Sequence, residues 1–253
     1  MLHAIILAAE CGNHSAARDA EDIPNCLLEV GGRSLLAHHL DLLFKLGVPT
    51  ADIVVGYRAS LVIEHVATLD SRPDVAWHFN PRYELGSVLS LKAAEETLES
   101  GSDVLVMDAD VLYHPDILKR LVESEAENCF LLDRDVEGDD QAARIALHEG
   151  RIVDFRHALP EGLEYDGIGT SVGFYKFGQR AAQCINEECA RFEAEGLSDA
   201  PHEEALRNVL LSCPLAFGYE DISGLPWIKV GSAEDTMRVG ERILRANQAA
   251  DER

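Results

Sequence analysis

The sequence predicts an α/β fold, in which a mostly parallel, Rossmann-like sheet carries helices on both faces. Short apolar runs alternate with segments of helical periodicity in the first half of the chain, and this alternation is typical of successive βαβ units. The chain has 253 residues, of which 47% are hydrophobic, and this is enough to bury the core of one such domain. We therefore expect residues 1–253 to form a single domain.

Four strands and the helices between them are predicted in the first half. The strands are expected at residues 4–8, 53–56, 75–79 and 104–107. The helices are expected at residues 35–46, 61–69, 87–98 and 115–122, the last with a proline at its first position. Ligands bind beyond the C-terminal ends of the strands in open sheets of this kind. The loops after Ala9, Gly56, Phe79 and Met107 are therefore the expected place for a site.

The second half of the chain predicts shorter strands. They are expected at residues 130–132, 142–147, 152–155, 171–177 and 227–230, with a hairpin turn at Glu149-Gly150. Helices are expected at residues 178–193, 201–211 and 233–246. Residues 199–201 are typical of a loop and not of a domain linker, so this half is interpreted as part of the same domain.

The composition is strongly acidic and excludes some classes of partner. Asp and Glu number 45 against 22 Lys and Arg, which gives a formal net charge of −23 and disfavours binding to a nucleic-acid backbone. No apolar run approaches the ~20 residues of a membrane-spanning helix. The first residues lack a basic flank and reach Glu10 early, so they are interpreted as a strand and not as a signal peptide. We expect a cytoplasmic protein that acts on a small molecule, and the sequence leaves an oligomer open.

Six cysteines occur, and none forms a CxxC pair. Most lie in apolar stretches, as in Asn128-Cys129-Phe130. This pattern favours buried free thiols in a reducing compartment over disulfides or a zinc site.

Six segments between residues 4 and 240 form an ordered pattern along the chain. They are residues 5–9 (IILAA), 24–36 (PNCLLEVGGRSLL), 54–58 (VVGYR), 80–83 (NPRY) with 90–91 (SL), 104–110 (VLVMDAD) and 226–235 (PWIKVGSAED). Together they resemble the sugar nucleotidyltransferases of the nucleotide-diphospho-sugar transferase fold. The pattern is closest to cytidylyltransferases that act on small phosphorylated alcohols or phosphonates, such as phosphocholine or aminoethylphosphonate.

The resemblance implies transfer of a nucleotidyl group from an NTP, such as CTP, to a small phosphorylated or phosphonate acceptor. Such chemistry depends on positioning and on neutralisation of the phosphate charge. By position, the resemblance assigns Arg18 and Arg144 to the phosphates as catalytic cations, and Asp110 to a Mg²⁺ ion that is required if the protein is active. The resemblance also assigns contacts with the nucleotide or substrate to Ala8, Ala9, Glu10, Gly12, Asn25, Tyr57, Ser87 and Asp108.

Four positions depart from the family pattern. Glu10 stands where the family has a loop glycine, and His14 stands where it has an arginine. Asn25 replaces a lysine, and Gly231 replaces the second metal-binding aspartate. In addition, Lys229 occupies the position of a family glutamate. Each well-placed charged contact is worth on the order of 1.5–3 kcal/mol. Since the changes remove two cations and a metal ligand, ordinary binding of Mg²⁺–NTP is not expected.

Three functions are compatible with these residues. The first is an active nucleotidyltransferase with a rearranged site. The second is a catalytically silent relative that binds a small ligand or serves a regulatory or scaffolding role. The third is glycosyltransferase-like use of a nucleotide sugar, which the Asp108-Ala-Asp110 triplet permits.

Several of these residues also have a plain structural explanation. Asp108 and Asp110 suit a turn or a helix cap, and Arg144 suits a solvated strand. Residues 202–204 (HEE) resemble a stretch that lines the acceptor site in relatives, but the simpler interpretation is the start of a surface helix.

Overall fold

The computed structural model describes residues 1–10, 23–135, 142–230 and 243. The strands in chain order are β1 (Leu2–Ala8), β2 (Glu29–Val30), β3 (Arg33–Ser34), β4 (Thr50–Val55), β5 (Asp74–Phe79), β6 (Asp103–Asp108), β7 (Val111–Tyr113), β8 (Cys129–Leu132), β9 (Arg144–His148), β10 (Arg151–Arg156), β11 (Gly167–Thr170), β12 (Phe174–Phe177), β13 (Gly218–Asp221) and β14 (Trp227–Lys229). The helices are α1 (Leu35–Lys45), α2 (Ala59–Ala67), α3 (Ser87–Ala93), α4 (Glu95–Leu98), α5 (Pro115–Glu123), α6 (Gln179–Ala194) and α7 (His202–Ser212), and a 3₁₀ turn spans Asn25–Leu27.

A seven-stranded sheet organises these elements, in the order β13-β8-β12-β6-β1-β4-β5. Strands β6, β1, β4 and β5 are parallel to one another, and β13 is parallel to β8, whereas β12 is antiparallel to both of its neighbours. Strands β10, β9 and β11 form a separate antiparallel sheet, and β14 pairs antiparallel with β7. The prediction of a mostly parallel sheet is confirmed.

Helices cover both faces of the sheet because successive strand side chains point to opposite sides. In β1, Ile5 and Leu7 pack into one core with residues of α3, α6 and α7. Ala4, Ile6 and Ala8 pack into the other core with residues of α1, α2 and α5. The predicted arrangement of helices on both faces is therefore also confirmed.

Local sequence signals set several element ends. Ser34 caps α1, since its Oγ accepts a hydrogen bond from the backbone N of Ala37 at 3.0 Å. Pro115 opens α5, as predicted. The turn between β9 and β10 places Glu149 and Gly150 at φ of 49° and 74°, which is the left-handed backbone that the predicted two-residue hairpin requires.

Two predicted elements differ from the structure. The helix expected at 87–98 is split into α3 and α4 around Ala94, and the strand expected at 171–177 begins only at Phe174. The short strands β7 and β13 were not predicted, because their three or four residues pair with partners distant in sequence. The helix expected at 233–246 lies outside the described residues, apart from the single position 243.

The described cysteines are free thiols; Cys26, Cys129 and Cys189 are buried, as expected, whereas Cys184 and Cys213 are half-buried. None of the helices within the described residues has the length and apolar character needed to cross a membrane.

A buried carboxylate ties three parallel strands to α4. Asp52 of β4 is 4% exposed and accepts hydrogen bonds from His78 Nε2 of β5 at 2.9 Å and from Thr97 Oγ1 at 2.7 Å. Its second oxygen lies 3.2 Å from His3 Nδ1 of β1. Burial raises the pKa of Asp52, but hydrogen bonds from His78, Thr97 and His3 outweigh it and hold the pKa below its usual value.

We expect Asp52→Asn to lower the free energy of unfolding by about 1–3 kcal/mol at pH 7, because a charged acceptor of several hydrogen bonds is lost. Since the folded pKa is depressed, this contribution is present above the unfolded pKa of about 4 and is lost as the pH falls through the folded value. Urea unfolding of wild type and variant should therefore differ at pH 7 and converge below about pH 4. Asp74→Asn, at the exposed start of β5, is the matched control; an equal loss there would contradict the assignment.

Candidate functional site

A cavity of about 350 Å³ opens at the edge of the sheet where β1 and β6 end. This is the edge at which the sequence predicts ligand binding. Its lining comes from the strand ends, the 3₁₀ turn, the N-termini of α3 and α7, and the end of β14. The lining residues are Leu7, Ala8, Glu10, Asn25, Cys26, Ser87, Asp108, Ala109, Asp110, His157, Pro201, His202, Glu203 and Lys229.

The acidic end of the cavity is set by the pairing of two central strands. Leu7 of β1 is in register with Asp108 of β6, so Glu10 and the Asp108–Asp110 triplet leave the sheet side by side. The backbone N of Asp108 donates to the carbonyl of Gly173 at 3.1 Å. Gly173 has a φ of 82°, and any side chain there would collide with the Asp108 carboxylate. A glycine at this position therefore leaves room for the acid.

A buried histidine holds the backbone between the two aspartates. His39 of α1 is fully buried, and burial lowers its pKa to about 3, so the ring is neutral. Its Nε2 lies 3.2 Å from the carbonyl oxygen of Ala109, which only accepts, so Nε2 carries the proton. Its Nδ1 then accepts from the Tyr113 hydroxyl at 3.1 Å.

The ammonium group of Lys229 lies between the two aspartates. Its Nζ donates to Oδ2 of Asp108 at 3.1 Å and lies 3.9 Å from Oδ1 of Asp110. The backbone accounts for this position, since β14 pairs with β7 in the register Lys229 to Val111. The backbone N of Val230 also donates to the carbonyl of Asp110 at 2.7 Å.

The three acids of this end differ in pKa. Burial raises the pKa of Asp108, but the Lys229 ammonium outweighs it and holds the pKa below its usual value. Burial raises the pKa of Asp110 to about 6, against the effect of Lys229 and with help from Asp108 and Glu10. The Glu10 side chain is solvent-exposed, yet desolvation by the surrounding protein and the charge of Asp108 raise its pKa. The single ammonium group therefore does not compensate the acidic end fully.

The opposite wall is built from the N-termini of α3 and α7. Ser87 Oγ accepts from the backbone N of His202 at 2.9 Å and lies 3.0 Å from His202 Nδ1. That nitrogen is also 3.2 Å from Oε2 of Glu203. Nε2 of His202 is buried without a hydrogen-bond partner among the described residues, 3.8 Å from Oδ1 of Asp108. This wall thus presents an unpaired polar atom close to the acids.

The structure brings together most of the site residues predicted from the sequence. Those that line the cavity are Ala8, Glu10, Asn25, Ser87, Asp108 and Asp110. Three others lie outside its lining: Ala9, Tyr57 and Arg144. Gly12 and Arg18 fall outside the described residues, as do the departures His14 and Gly231.

The residues outside the lining have other places in the fold. Ala9 is fully buried in the core, and its carbonyl accepts from the backbone N of Tyr57 at 2.9 Å. The Tyr57 ring packs near Tyr83, with centroids 6.0 Å apart. Arg144 lies on β9, paired in register with Arg156 of β10.

Eight lining residues were not predicted as site residues, and four of these carry an imidazole or charged side chain. The four are His157, His202, Glu203 and Lys229. The prediction that residues 202–204 begin a surface helix is wrong for His202 and Glu203, which are only 2% and 8% exposed. Their helix does begin at His202, but its first turn is packed against Ser87.

The described residues do not fit a Mg²⁺ ion. One oxygen of each aspartate, Oδ2 of Asp108 and Oδ1 of Asp110, already faces the Lys229 ammonium. No group of three or more His, Cys, Asp or Glu side chains within the described ranges is arranged to hold a metal. Magnesium prefers several oxygen ligands around one ion, so a site containing a fixed cation is unsuitable for it.

Comparison with known proteins identifies relatives for this chain. A family model described as a MobA-like NTP transferase domain matches residues 4–159, which end before α7 and β14. UTP–glucose-1-phosphate uridylyltransferase AglF of Haloferax volcanii is 28% identical over 142 residues, covering 55% of this chain. CMP-5'-(3-aminopropyl)phosphonate synthase of Streptomyces rubellomurinus is 24% identical over 250 residues, covering 96% of this chain. The chain spans only 56% and 39% of the lengths of these two relatives.

The fold also resembles that of a solved enzyme structure. The inositol-1-phosphate CTP transferase from T. maritima superposes with a TM-score of 0.73 at 20% identity. The match covers 96% of this chain and 95% of the other. At this identity the likeness shows a shared nucleotidyltransferase-type fold, as the sequence pattern predicted.

The raised pKa of Asp110 leads to a stability prediction. The pKa of Asp110 in the folded protein is raised to about 6. The favourable contribution of Asp110 to the free energy of unfolding is therefore present below its unfolded pKa and is lost as the pH rises through about 6. We expect Asp110→Asn to stabilise the protein at pH 8 by roughly 1–3 kcal/mol, since a tenfold change in proton affinity is worth about 1.4 kcal/mol. Denaturant unfolding at pH 8 should show a higher free energy of unfolding for Asp110→Asn than for wild type, and this difference should be smaller at pH 5.

Asp70→Asn, on an exposed part of the surface, serves as the matched control for this measurement. A loss of stability in Asp110→Asn at pH 8 would show that its pairing with Lys229 dominates instead.

Proposed function

This chain belongs to the MobA-like NTP transferase family, and we propose that it binds an amine-bearing small molecule without catalysing Mg²⁺-dependent nucleotidyl transfer. One observation carries the proposal. Four carboxylates line the cavity, from Glu10, Asp108, Asp110 and Glu203, and the single lysine or arginine among the described lining residues is Lys229. That lysine is already paired with the two aspartates.

The charge of the cavity disfavours a nucleotide triphosphate. Two unit charges 4 Å apart interact by about 4 kcal/mol at the effective dielectric constant of 20 that applies near a protein surface. A triphosphate would therefore meet repulsion from Glu10 and Glu203, and Asn25 supplies no charge to offset it. The same energy favours a ligand that brings a protonated amine.

The pKa values support this choice of ligand. Desolvation and neighbouring acids raise the pKa of Glu10, and burial raises that of Asp110 to about 6, so the described lining residues carry negative charge that Lys229 does not balance fully. An ammonium group on the ligand would supply the missing positive charge. The unpartnered Nε2 of His202 offers a hydrogen bond to a polar group of the same ligand.

A relative suggests a suitable probe. The printed name of the Streptomyces rubellomurinus protein describes a product that contains 3-aminopropylphosphonate. This compound carries a primary amine, and propylphosphonate differs from it only in lacking that amine. Comparison of the two compounds therefore isolates the contribution of the ammonium group.

Nucleotidyl transfer is the second candidate function. The observation in its favour is that the strand-end acids Asp108 and Asp110 are present and line the cavity beside β1. In that case the expected reactants are CTP and a small phosphorylated or phosphonate acceptor, with Mg²⁺.

The free thiols of the described residues suit the reducing environment of the cytoplasm, which we propose as the location.

Calorimetric titration tests the proposed ligand class. We expect 3-aminopropylphosphonate to bind at least about tenfold more tightly than propylphosphonate, since a charged hydrogen bond is worth roughly 1.5–3 kcal/mol. Glu10→Gln and Glu203→Gln should each reduce that preference. Glu64→Gln, an exposed acid on α2, is the matched control and should leave it unchanged. Equal binding of the two compounds, or binding of neither, would contradict the proposal.

An assay of pyrophosphate release tests the second candidate. With CTP, Mg²⁺ and 3-aminopropylphosphonate we expect release at the rate of the protein-free control, because the acids of the cavity repel the triphosphate and its described residues offer no metal position. Rapid release that Asp110→Ala abolishes would establish the protein as an active transferase.

A further inference from the structure

The oxygens of Asp108 and Asp110 converge on one point, and that point is occupied by an ammonium group. Lys229 Nζ lies 3.1 Å from Oδ2 of Asp108 and 3.9 Å from Oδ1 of Asp110. The side chains of the two aspartates are only 11% and 20% exposed, whereas that of Lys229 is 41% exposed. Converging carboxylate oxygens of this kind are the ligands that hard divalent cations use.

The ammonium group is anchored through the backbone of its strand. The pairing of β14 with β7 places Lys229 opposite Val111, one residue after Asp110. The next residue, Val230, is held by a hydrogen bond of 2.7 Å from its backbone N to the carbonyl oxygen of Asp110. The lysine therefore reaches the acids from a neighbouring strand and not from a separate loop.

We propose that Lys229 is a built-in cation that takes the position of a divalent metal ion between Asp108 and Asp110, so that the cavity excludes such ions. The ammonium group uses oxygens that a metal would need, and its positive charge repels a dication at short range. Unlike a bound metal, it cannot dissociate from the folded chain. The site is therefore independent of the concentration of divalent cations.

Removal of the lysine charge should reverse this exclusion. Loss of one partner from a partly buried ion pair leaves the other charges uncompensated, and this is strongly unfavourable. In Lys229→Met, Asp108 and Asp110 would face each other without a counterion, with Glu10 adding further negative charge nearby. A divalent cation would then relieve the repulsion.

The inference does not depend on the proposed amine ligand. It concerns the affinity for a metal ion in the absence of any small molecule. Failure of the amine titration therefore leaves it unchanged, and failure of the metal titration leaves the amine proposal open to its own test.

Binding of Mn²⁺, followed by the loss of the electron paramagnetic resonance signal of the free ion, tests the inference. We expect Lys229→Met and Lys229→Gln to bind Mn²⁺ at least about tenfold more tightly than wild type, because two acids lose their counterion. Lys229→Arg retains the charge and should exclude the ion like wild type. Adding Asp108→Asn to Lys229→Met should abolish the increase in Mn²⁺ affinity.

Lys176→Met is the matched control, since Lys176 lies on β12 and donates to the carbonyl of Ser124 at 2.7 Å, away from the acids. It should bind Mn²⁺ no better than wild type. If the Lys229 variants fail to fold, Mn²⁺ should restore their thermal transition, and should not restore that of Asp108→Asn/Lys229→Met. Three outcomes would each overturn the inference. The first is tight Mn²⁺ binding by wild type that is lost in Asp108→Asn. The second is that the Lys229 variants fold but bind Mn²⁺ no more tightly than wild type, and the third is that they stay unfolded when Mn²⁺ is added.

Discussion

The parallel pairing of β1 with β6 at the centre of the sheet is the constraint on which the site depends. It sets Leu7 opposite Asp108, and both strands then leave the sheet at the same edge. Among the described acids that line the cavity, Asp108 ends β6, Glu10 and Asp110 lie just after these two strands, and Glu203 comes from α7. Gly173, which precedes the antiparallel neighbour β12, lacks a side chain and so leaves space for the Asp108 carboxylate. A change of register here would separate the acids and move their side chains to the other face.

The protein contains two kinds of buried carboxylate, and they differ in how fully they are satisfied. Asp52 accepts two hydrogen bonds and lies within reach of a third, so the folded state favours its charged form. Asp110 shares one ammonium group with Asp108, and the folded state favours its protonated form. The first arrangement is typical of a structural cluster, whereas the second is typical of a site that gives up stability for function.

The four parallel strands β1, β4, β5 and β6 of the central sheet could be predicted because apolar runs alternate with helical patterns in the first half of the chain, whereas β13 at the sheet edge has no such pattern. The strand-end position of Glu10, Asp108 and Asp110 followed from the same pattern together with the family resemblance. The place of Lys229 could not be predicted, because it depends on the pairing of β14 with β7, and the three-residue pattern of β7 is too short to detect. His202 and Glu203 were misassigned because a helix start rich in charge resembles a solvated surface, and its contact with Ser87 joins residues 115 positions apart in sequence.

The separation of Lys229 and Asp108 along the chain affects how the cavity forms during folding. The two residues are 121 positions apart, so their contact closes a long loop and carries the entropic cost of that closure. In any state of the chain in which β14 is not paired with β7, Lys229 cannot reach the aspartates. The electrostatic character of the cavity therefore depends on the pairing of the last described strand.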